Sequence, residues 1–210
     1  MSKIKAVFFD MDGVLVDAKE WHYEALNKSL RLFGFEISKE EHLSAFDGLP
    51  TKVKLEMLSQ RGYLPKGLHG FINEMKQQYT YDLVHVLCKP RFNTEHALSR
   101  LKADGYKLAV ASNSIRYTVE LMMQKSCLTQ YLDHLVSNED VAKAKPSPEI
   151  YQVCMKKFGL RPDECVVVED NENGIRAARD AGAHVLVVKE VAEVTYSNVK
   201  SFIRSIEEKA

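Results

Sequence analysis

The chain has 210 residues, of which 45% are hydrophobic and 28% are charged, the ordinary range for a soluble globular protein. Its 29 basic and 29 acidic residues give a formal net charge of zero. The sequence therefore lacks the overall basic field that holds nucleic acid or an anionic membrane surface, and we expect neither as a partner. Any phosphate chemistry must instead use locally placed cations.

The N-terminal region has no pattern typical of a targeting segment. The apolar run at residues 6–9 is too short for a signal-peptide core, and Asp10 and Asp12 interrupt it at once. No stretch of the sequence is long and apolar enough to span a bilayer. The cysteines form no C-x-x-C pair, so we interpret them as reduced and mostly structural. These features predict a cytoplasmic protein.

Short apolar runs that do not alternate with polar residues predict strands buried on both faces. They lie at residues 6–9, 108–111, 166–168 and 185–188, with a weaker one at 134–136. Helical patterns separate most of them, such as residues 114–126. Another helix is predicted from Ser147-Pro148, with Ser147 as N-cap, to about Phe158, with Gly159 as its stop. Strands that alternate with helices predict an α/β fold with a parallel, doubly wound sheet.

The first two predicted strands are separated by residues 10–107, although a crossover between parallel strands needs only about 12 residues. The intervening segment has helical patterns. Asp17 and Glu20 have the spacing of a capping box, and a later helix is predicted to bury one apolar face. That face contains Leu68, Ile72, Met75, Tyr79, Leu83 and Val86. We therefore interpret residues 17–87 as an inserted helical domain, and residues 1–16 and 88–210 as the core domain.

Polar residues follow three of the predicted strands. They are Asp10 and Asp12 after the first strand, Ser112-Asn113 after the second, and Glu169-Asp170 at the end of the strand at 166–168. Lys145 lies in a Pro-rich segment before that strand. Because ligands of open parallel sheets bind at the carboxyl ends of the strands, we expect these groups to converge on one rim.

The carboxylates at this rim suit phosphoryl transfer. Asp10 is placed to attack phosphorus and form an aspartyl-phosphate, and Asp12 to protonate the leaving group and later deprotonate water. Two carboxylates this close to a phosphate need a cation, and hard oxygen ligands favour Mg²⁺. We expect Mg²⁺ to be bound by the carboxylates of Asp10 and Asp170 and by the backbone carbonyl of Asp12.

The remaining residues of the rim supply groups that recognise an anion. The Ser112 hydroxyl and the Asn113 N–H are predicted to hold phosphoryl oxygens. Lys145 is predicted to place a compact positive charge near Asp10 and the phosphoryl group. The role of Glu169 stays open between direct metal binding and orientation of a bound water, and we favour the second.

Four ordered segments resemble the signature motifs of the haloacid dehalogenase-like superfamily. They are FFDMDGVLVD at 8–17, ASNS at 111–114, AKPSPEIY at 144–151 and VVVEDNENGIRAA at 166–178. The resemblance covers nearly the whole chain. It implies a Rossmann-like core, a mobile cap domain and dependence on Mg²⁺. The helical insert resembles the small helical cap of the subfamily that includes many phosphatases and beta-phosphoglucomutase.

Within this superfamily, an acidic residue at Asp12 is typical of enzymes that act on phosphate esters rather than of dehalogenases. Beta-phosphoglucomutase carries a substrate-binding arginine three residues after a cap glycine. Here the glycine is Gly48, the arginine position holds Thr51, and Lys52 is the nearest cation. This favours a phosphatase over a phosphomutase. The expected substrate is a small phosphorylated metabolite, such as a sugar or polyol phosphate, and the expected assembly is a monomer or weak homodimer. A sugar phosphomutase and a catalytically silent binding protein remain the alternatives.

Two further residues of the insert are open to more than one interpretation. His22 aligns with a histidine common in capped relatives, but a structural role would place the same residue type there. Lys76 is interpreted as a charge on a solvated helix face, with substrate contact as the alternative. Gly48 and Lys52 are the predicted substrate-binding residues of the insert, and the segment 46–52 is predicted to select the substrate.

Overall fold

The computed structural model describes residues 3–208. The chain forms two compact units, one made of the residues up to Asp17 and from Lys89 onward, the other of Ala18–Cys88. Each boundary lies one residue later than the division expected from the sequence. Asp17 forms an ion pair with Arg91 at 3.2 Å, which ties it to the larger unit. Cys88 donates its N–H to the carbonyl of Val84 and so continues the last helix of the smaller unit.

The larger unit contains a parallel sheet of five strands within the described residues. The strands are β1 (Ala6–Phe9), β2 (Lys107–Ala111), β3 (His134–Val136), β4 (Cys165–Glu169) and β5 (His184–Val187). Their spatial order is β3-β2-β1-β4-β5, and every neighbouring pair is parallel. β1 and β4 are buried along their whole length, as expected of apolar strands with both faces covered. The predicted α/β fold with a doubly wound parallel sheet is confirmed.

The smaller unit is helical. Its elements are α1 (Lys19–Arg31), α2 (Lys39–Glu41) continued by a π-helical turn (His42–Phe46), α3 (Thr51–Gln60) and α4 (His69–Leu87). Apolar side chains from all of its longer helices form a separate core. That core contains Leu26, Leu30, Ile37, Phe46, Leu55, Leu58, Leu64 and Ile72.

Helices of the larger unit connect and cover its strands. They are α5 (Phe92–Ala103), α6 (Arg116–Lys125), α7 (Glu149–Phe158), α8 (Glu172–Asp180) and α9 (Tyr196–Glu208). α7 ends at Gly159, whose φ of +65° is the left-handed conformation that stops a helix, as predicted. Its N-cap is Pro148, one residue later than the predicted Ser147. In the part of the chain that is described, no helix is both long and apolar enough to cross a bilayer.

The capping box predicted at Asp17 and Glu20 is wrong. α1 begins at Lys19, its N-cap is Ala18, and no side chain caps it. The side chain of Asp17 is 64% exposed and pairs with Arg91. A tertiary ion pair therefore uses the carboxylate that the local pattern had assigned to the helix.

The face predicted for α4 is correct at Ile72 but is rotated from the buried stripe of the helix. Its buried positions are Ile72, Lys76, Thr80 and Val84, which lie four residues apart, and Val86 is 67% exposed. Lys76 is only 7% exposed, so the interpretation of a solvated lysine fails. The apolar pattern indicated a stripe rotated away from the real one, because two of the buried positions carry polar side chains that find partners inside the unit.

Candidate active site

The carboxyl ends of β1 and β4 lie side by side at the centre of the sheet. Asp10 follows β1, and its N–H donates to the carbonyl of Val168 at 3.0 Å. Glu169 ends β4 and Asp170 follows it. The chain leads from β1 to the β2 side of the sheet and from β4 to the opposite side, where β5 lies. A crevice at such a topological switch point is where open α/β sheets bind ligands.

Lys145 joins the two strand ends. Its ammonium Nζ donates to Asp10 Oδ1 at 2.5 Å, to Glu169 Oε1 at 2.7 Å and to the carbonyl of Ala111 at 2.9 Å. An ammonium has three protons, so this set of acceptors uses all of them. The structure thus brings Lys145 against Asp10, and both side chains are buried.

The buried charges shift one another's pKa values. Burial raises the pKa of Asp10 well above its usual value, Lys145 opposes this, and Glu169, Asp170 and Asp12 raise it further. For Lys145, burial lowers the pKa, but Asp10 and Glu169 outweigh burial and raise it. The lysine therefore stays charged, while burial, with the neighbouring carboxylates, disfavours the ionised form of Asp10.

These carboxylates fit a divalent cation. One oxygen from each of Asp10, Glu169 and Asp170 lies within 4.8 Å of the others. Hard carboxylate oxygens are the ligands that Mg²⁺ prefers, and its charge would offset the burial and the neighbouring carboxylates that raise the pKa of Asp10. Of the predicted ligands, Asp10 and Asp170 are brought together.

Glu169 is the third member of this group, but its oxygens are engaged by the protein. Oε1 accepts hydrogen bonds from Lys145 and from the phenol of Tyr151, each at 2.7 Å. Oε2 accepts from the backbone N–H groups of Asp170 at 3.1 Å and Asn171 at 3.3 Å. Four donors hold this carboxylate in place, which suits an orienting role better than direct metal binding. The role of Tyr151 was not predicted, since its only signal in the sequence is its place at the end of the AKPSPEIY motif.

The loop after β2 carries Ser112 and contacts Asp12. Ser112 is buried; its N–H donates to the carbonyl of Val136 at 3.0 Å, and its Oγ accepts from the N–H of Ser114 at 3.1 Å. The hydroxyl of Ser114 donates to Asp12 Oδ2 at 3.3 Å. Ser114 therefore orients the carboxylate that is the predicted acid–base group, a contact that the sequence analysis missed.

Asn113 holds the backbone of Lys145. Its Oδ1 accepts from the N–H of Lys145 at 2.9 Å, and its Nδ2 donates to the carbonyl of the same residue at 3.2 Å. The prediction had used only the backbone N–H of Asn113. The side chain thus fixes the loop that carries the lysine, and a second amide, Asn138, donates to the carbonyl of Asn113 at 2.8 Å.

The smaller unit has a polar cluster of its own. Lys76 Nζ lies 3.1 Å from His22 Nδ1. His42 and Lys54 are buried, at 3% and 7% exposure. Burial, followed by the nearby charge of Lys54, lowers the pKa of His42 to about 4, so this imidazole is neutral at pH 7. A buried pair of lysines in one small helical unit is unusual, because charged side chains are seldom buried.

The predicted substrate-binding residues of this unit, Gly48 and Lys52, lie between His42 and Lys54 in the sequence. Gly48, with φ of +70°, forms the turn between the π-helical turn and α3. Lys52 is exposed on the first turn of α3, whereas Lys54, two residues on, is buried. The burial of Lys54 was not predicted, since an isolated lysine gives no signal of burial in the sequence.

The similarity to known proteins extends over most of the chain. The model of the family described as haloacid dehalogenase-like hydrolase matches residues 7–188. A phosphorylated carbohydrates phosphatase of Thermotoga maritima is 29% identical over 182 residues, covering 85% of this chain and 82% of the relative.

Two solved structures share the architecture. Beta-phosphoglucomutase of Clostridium difficile has a TM-score of 0.84 at 21% identity and covers 98% of this chain and 99% of its own. CbbY of Rhodobacter sphaeroides, in complex with xylulose-(1,5)bisphosphate, has a TM-score of 0.79 at 25% identity, covering 88% of this chain and 85% of its own. Together with the family match over most of its length, the site described above leads to one conclusion: the chain belongs to the haloacid dehalogenase-like hydrolase family.

Proposed function

We propose that this chain is a Mg²⁺-dependent phosphatase that hydrolyses a small phosphorylated metabolite through an aspartyl-phosphate on Asp10. It is a phosphoric monoester hydrolase of its family. The observation that carries the proposal is the buried contact between Asp10 and Lys145 at the strand ends where Asp170 also lies. A carboxylate beside a fixed ammonium can approach a phosphoryl group that would otherwise be repelled.

In the first step, Asp10 attacks phosphorus and the bond from phosphorus to the leaving-group oxygen breaks. Asp12 donates its proton to that oxygen, and the Ser114 hydroxyl, which donates to Asp12 Oδ2, holds the carboxyl group in place. Lys145 offsets negative charge on Asp10 and on the transferred group. The product of this step is an aspartyl-phosphate and a free alcohol.

In the second step, water attacks phosphorus of the aspartyl-phosphate. Asp12, now ionised, takes the proton from that water, and the acyl–phosphate bond breaks to regenerate Asp10. Asp10 and Asp170 would hold Mg²⁺ with their carboxylates, and Asp12 with its backbone carbonyl. When bound, Mg²⁺ supplies charge that neutralises the phosphoryl oxygens and relieves repulsion among the carboxylates.

The proposed substrates are sugar or polyol phosphates. The carbohydrate phosphatase of Thermotoga maritima and the bisphosphate complex of CbbY support this class by their names and ligands. The inserted helical unit serves as the cap domain that selects the substrate, with Gly48, Lys52 and the buried Lys54 as candidate contacts. Groups shared by every phosphate ester, recognised by Asp10, Ser112, Asn113 and Lys145, cannot provide that selection.

A phosphate-release screen tests the proposal. Purified protein with Mg²⁺ should release phosphate from at least one class in a panel of sugar phosphates, polyol phosphates, phosphoglycolate and pyrophosphate. The Asp10→Asn variant should release none. A folded wild-type protein that hydrolyses no phosphate ester would contradict the proposal. Interconversion of sugar phosphates that requires a bisphosphate activator would instead identify a phosphomutase.

A further inference from the structure

We propose that Tyr151 is a positioning residue: its phenol orients Glu169 and weakens the pull of Glu169 on the Lys145 ammonium, so that the ammonium stays against Asp10. The inference rests on the proposed function, since it deepens the account of the same site. Nothing in the chemistry of phosphoryl transfer asks for a phenol behind the lysine. The contacts of the four residues show what that phenol does.

Tyr151 lies in the first turn of α7 and is fully buried. Its O–H donates to Glu169 Oε1 at 2.7 Å. Burial and the charge of Glu169 raise the pKa of Tyr151 well above its usual value, so the phenol remains a donor. A phenylalanine would fill the same space at this depth. The hydroxyl is therefore present for its hydrogen bond and not for packing, because burying a polar group costs free energy unless a partner is gained.

The carboxylate of Glu169 is confined by hydrogen bonds to both of its oxygens and by the close approach of α8. Its Oε1 is shared by Tyr151 and Lys145, and its Oε2 by two backbone N–H groups. On the α8 side lies Gly174, where an added Cβ would come within 1.7 Å of Glu169 Oε1. Only glycine leaves room for the carboxylate there. Glu169 is thus wedged between α7 and α8, with one oxygen aimed at Lys145.

The Lys145 ammonium is divided between Asp10 Oδ1, Glu169 Oε1 and the carbonyl of Ala111. The phenol donates to the same Oε1 and so weakens the pull of Glu169 on the ammonium. Without the phenol, Glu169 would attract Lys145 more strongly and would be less firmly oriented. Both effects weaken the contact between Lys145 and Asp10, and with it the support for charge on the nucleophile.

The Tyr151→Phe substitution isolates this effect. Lys145 Nζ also lies 4.9 Å from the centroid of the Tyr151 ring, a cation–π contact that phenylalanine retains. Only the O–H is lost. A matched control is Tyr106→Phe, since Tyr106 is also buried and its hydroxyl accepts from Lys200 at 2.9 Å. Tyr106 precedes β2 and therefore lies at the amino ends of the parallel strands, whereas the site lies at their carboxyl ends.

The test is a double-mutant cycle with p-nitrophenyl phosphate and Mg²⁺. Tyr151→Phe should lower kcat about tenfold, the scale of one hydrogen bond, and change KM less than about twofold. Combined with Glu169→Gln, it should cause little further loss, because the residue through which it acts has already changed. Tyr106→Phe should leave kcat at the wild-type value.

Three results would overturn the proposal: a wild-type kcat for Tyr151→Phe, an undiminished loss in the Glu169→Gln background, or an equal loss for Tyr106→Phe. A crystal structure of Tyr151→Phe gives a second measurement that needs no turnover. It should show Lys145 moved toward Glu169 and away from Asp10, and an unchanged set of contacts would also refute the proposal. If the wild type hydrolyses no phosphate ester, the proposed function fails by itself, and the crystal structure still decides the role of Tyr151.

Discussion

The two units of the chain bury their charges in opposite ways. At the carboxyl ends of the strands, acidic groups outnumber basic ones, and Lys145 is held by Asp10 and Glu169. In the helical unit, the buried charges are the lysines Lys54 and Lys76, and Lys76 lies against an imidazole. The first arrangement suits a cation and a phosphoryl group. The second suits an anionic part of a substrate. This difference is in line with the proposal that the larger unit carries out the chemistry and the helical unit selects the substrate.

The largest expected effect comes from changing the nucleophile. Asp10→Asn should reduce turnover to background, because an amide cannot form the aspartyl-phosphate. The melting temperature should not fall, since the amide removes a buried carboxylate whose pKa is raised by burial and by its neighbours. Asp17→Asn, which changes an exposed carboxylate, is the control and should keep full activity. Residual wild-type rates in Asp10→Asn would place the chemistry elsewhere.

Metal removal should have almost as large an effect. EDTA should abolish phosphate release and added Mg²⁺ should restore it, because we assign a divalent cation to the clustered carboxylates. Ca²⁺ should bind and inhibit, since its looser coordination disturbs the in-line geometry. Asp170→Asn should raise the Mg²⁺ concentration needed for half-maximal activity. Undiminished activity in metal-free buffer would exclude Asp170 as a ligand.

Asp12→Asn should slow the chemical step while sparing metal binding, because we assign only the backbone carbonyl of Asp12 to Mg²⁺. The loss should be smaller with p-nitrophenyl phosphate than with an alkyl phosphate, since a good leaving group needs little protonation. Ser114→Ala should show the same trend, but its loss in kcat should be about a tenth of that of Asp12→Asn, because it removes only the hydrogen bond to Asp12. Equal losses for good and poor leaving groups would remove the general-acid role.

Changes in the helical unit should alter selection rather than chemistry. Lys54→Ala should shift relative rates among phosphate esters by about tenfold, the scale of one charged hydrogen bond. Asp47→Ala and Lys52→Ala should cause smaller shifts, since Lys52 is exposed. Rates with p-nitrophenyl phosphate should change little in each variant. A substrate profile left unchanged by all three would show that this segment does not select the substrate.

A change at His42 should have the smallest effect on turnover and should instead alter the dependence of folding stability on pH. Below pH 6.5 an unfolded chain protonates His42, whereas the folded protein resists until about pH 4, so folding stability falls across that window. The loss should reach about 3 kcal/mol. The pKa of His42 is lowered by burial and by the charges of Lys54 and His22, and it is raised by Asp47 and Glu20. His42→Asn should flatten the pH dependence measured by urea unfolding, and His85→Asn, at an exposed position, should not.

The sequence predicted the parts of the molecule that depend on local pattern and strand order. The apolar runs matched β1 to β5 within about a residue, and the strand-end rule placed Asp10 beside Asp170. The contacts that it missed depend on packing between distant segments. Tyr151 in a helix donates to Glu169 at a strand end, Asn113 hydrogen-bonds to the backbone of Lys145, and Lys54 is buried.

The errors in the helical unit have the same physical origin. Asp17 fits a capping pattern, but its ion pair with Arg91 joins residues 74 positions apart. α4 buries Lys76 and Thr80, two polar side chains that an apolar pattern cannot select. Thr80 satisfies its hydroxyl by donating to the carbonyl of Lys76 at 2.8 Å. Such positions become predictable only when the partner of each polar group is known.

Trapping the covalent intermediate decides whether Asp10 is the nucleophile. Borohydride reduces an acyl phosphate to an alcohol, so protein quenched during turnover should contain homoserine at position 10, detectable by peptide mass spectrometry. We expect this product at Asp10 only when substrate and Mg²⁺ are both present, and none at Asp12 or Asp170. Turnover without any reduction at Asp10, or reduction at another carboxylate, would contradict this expectation.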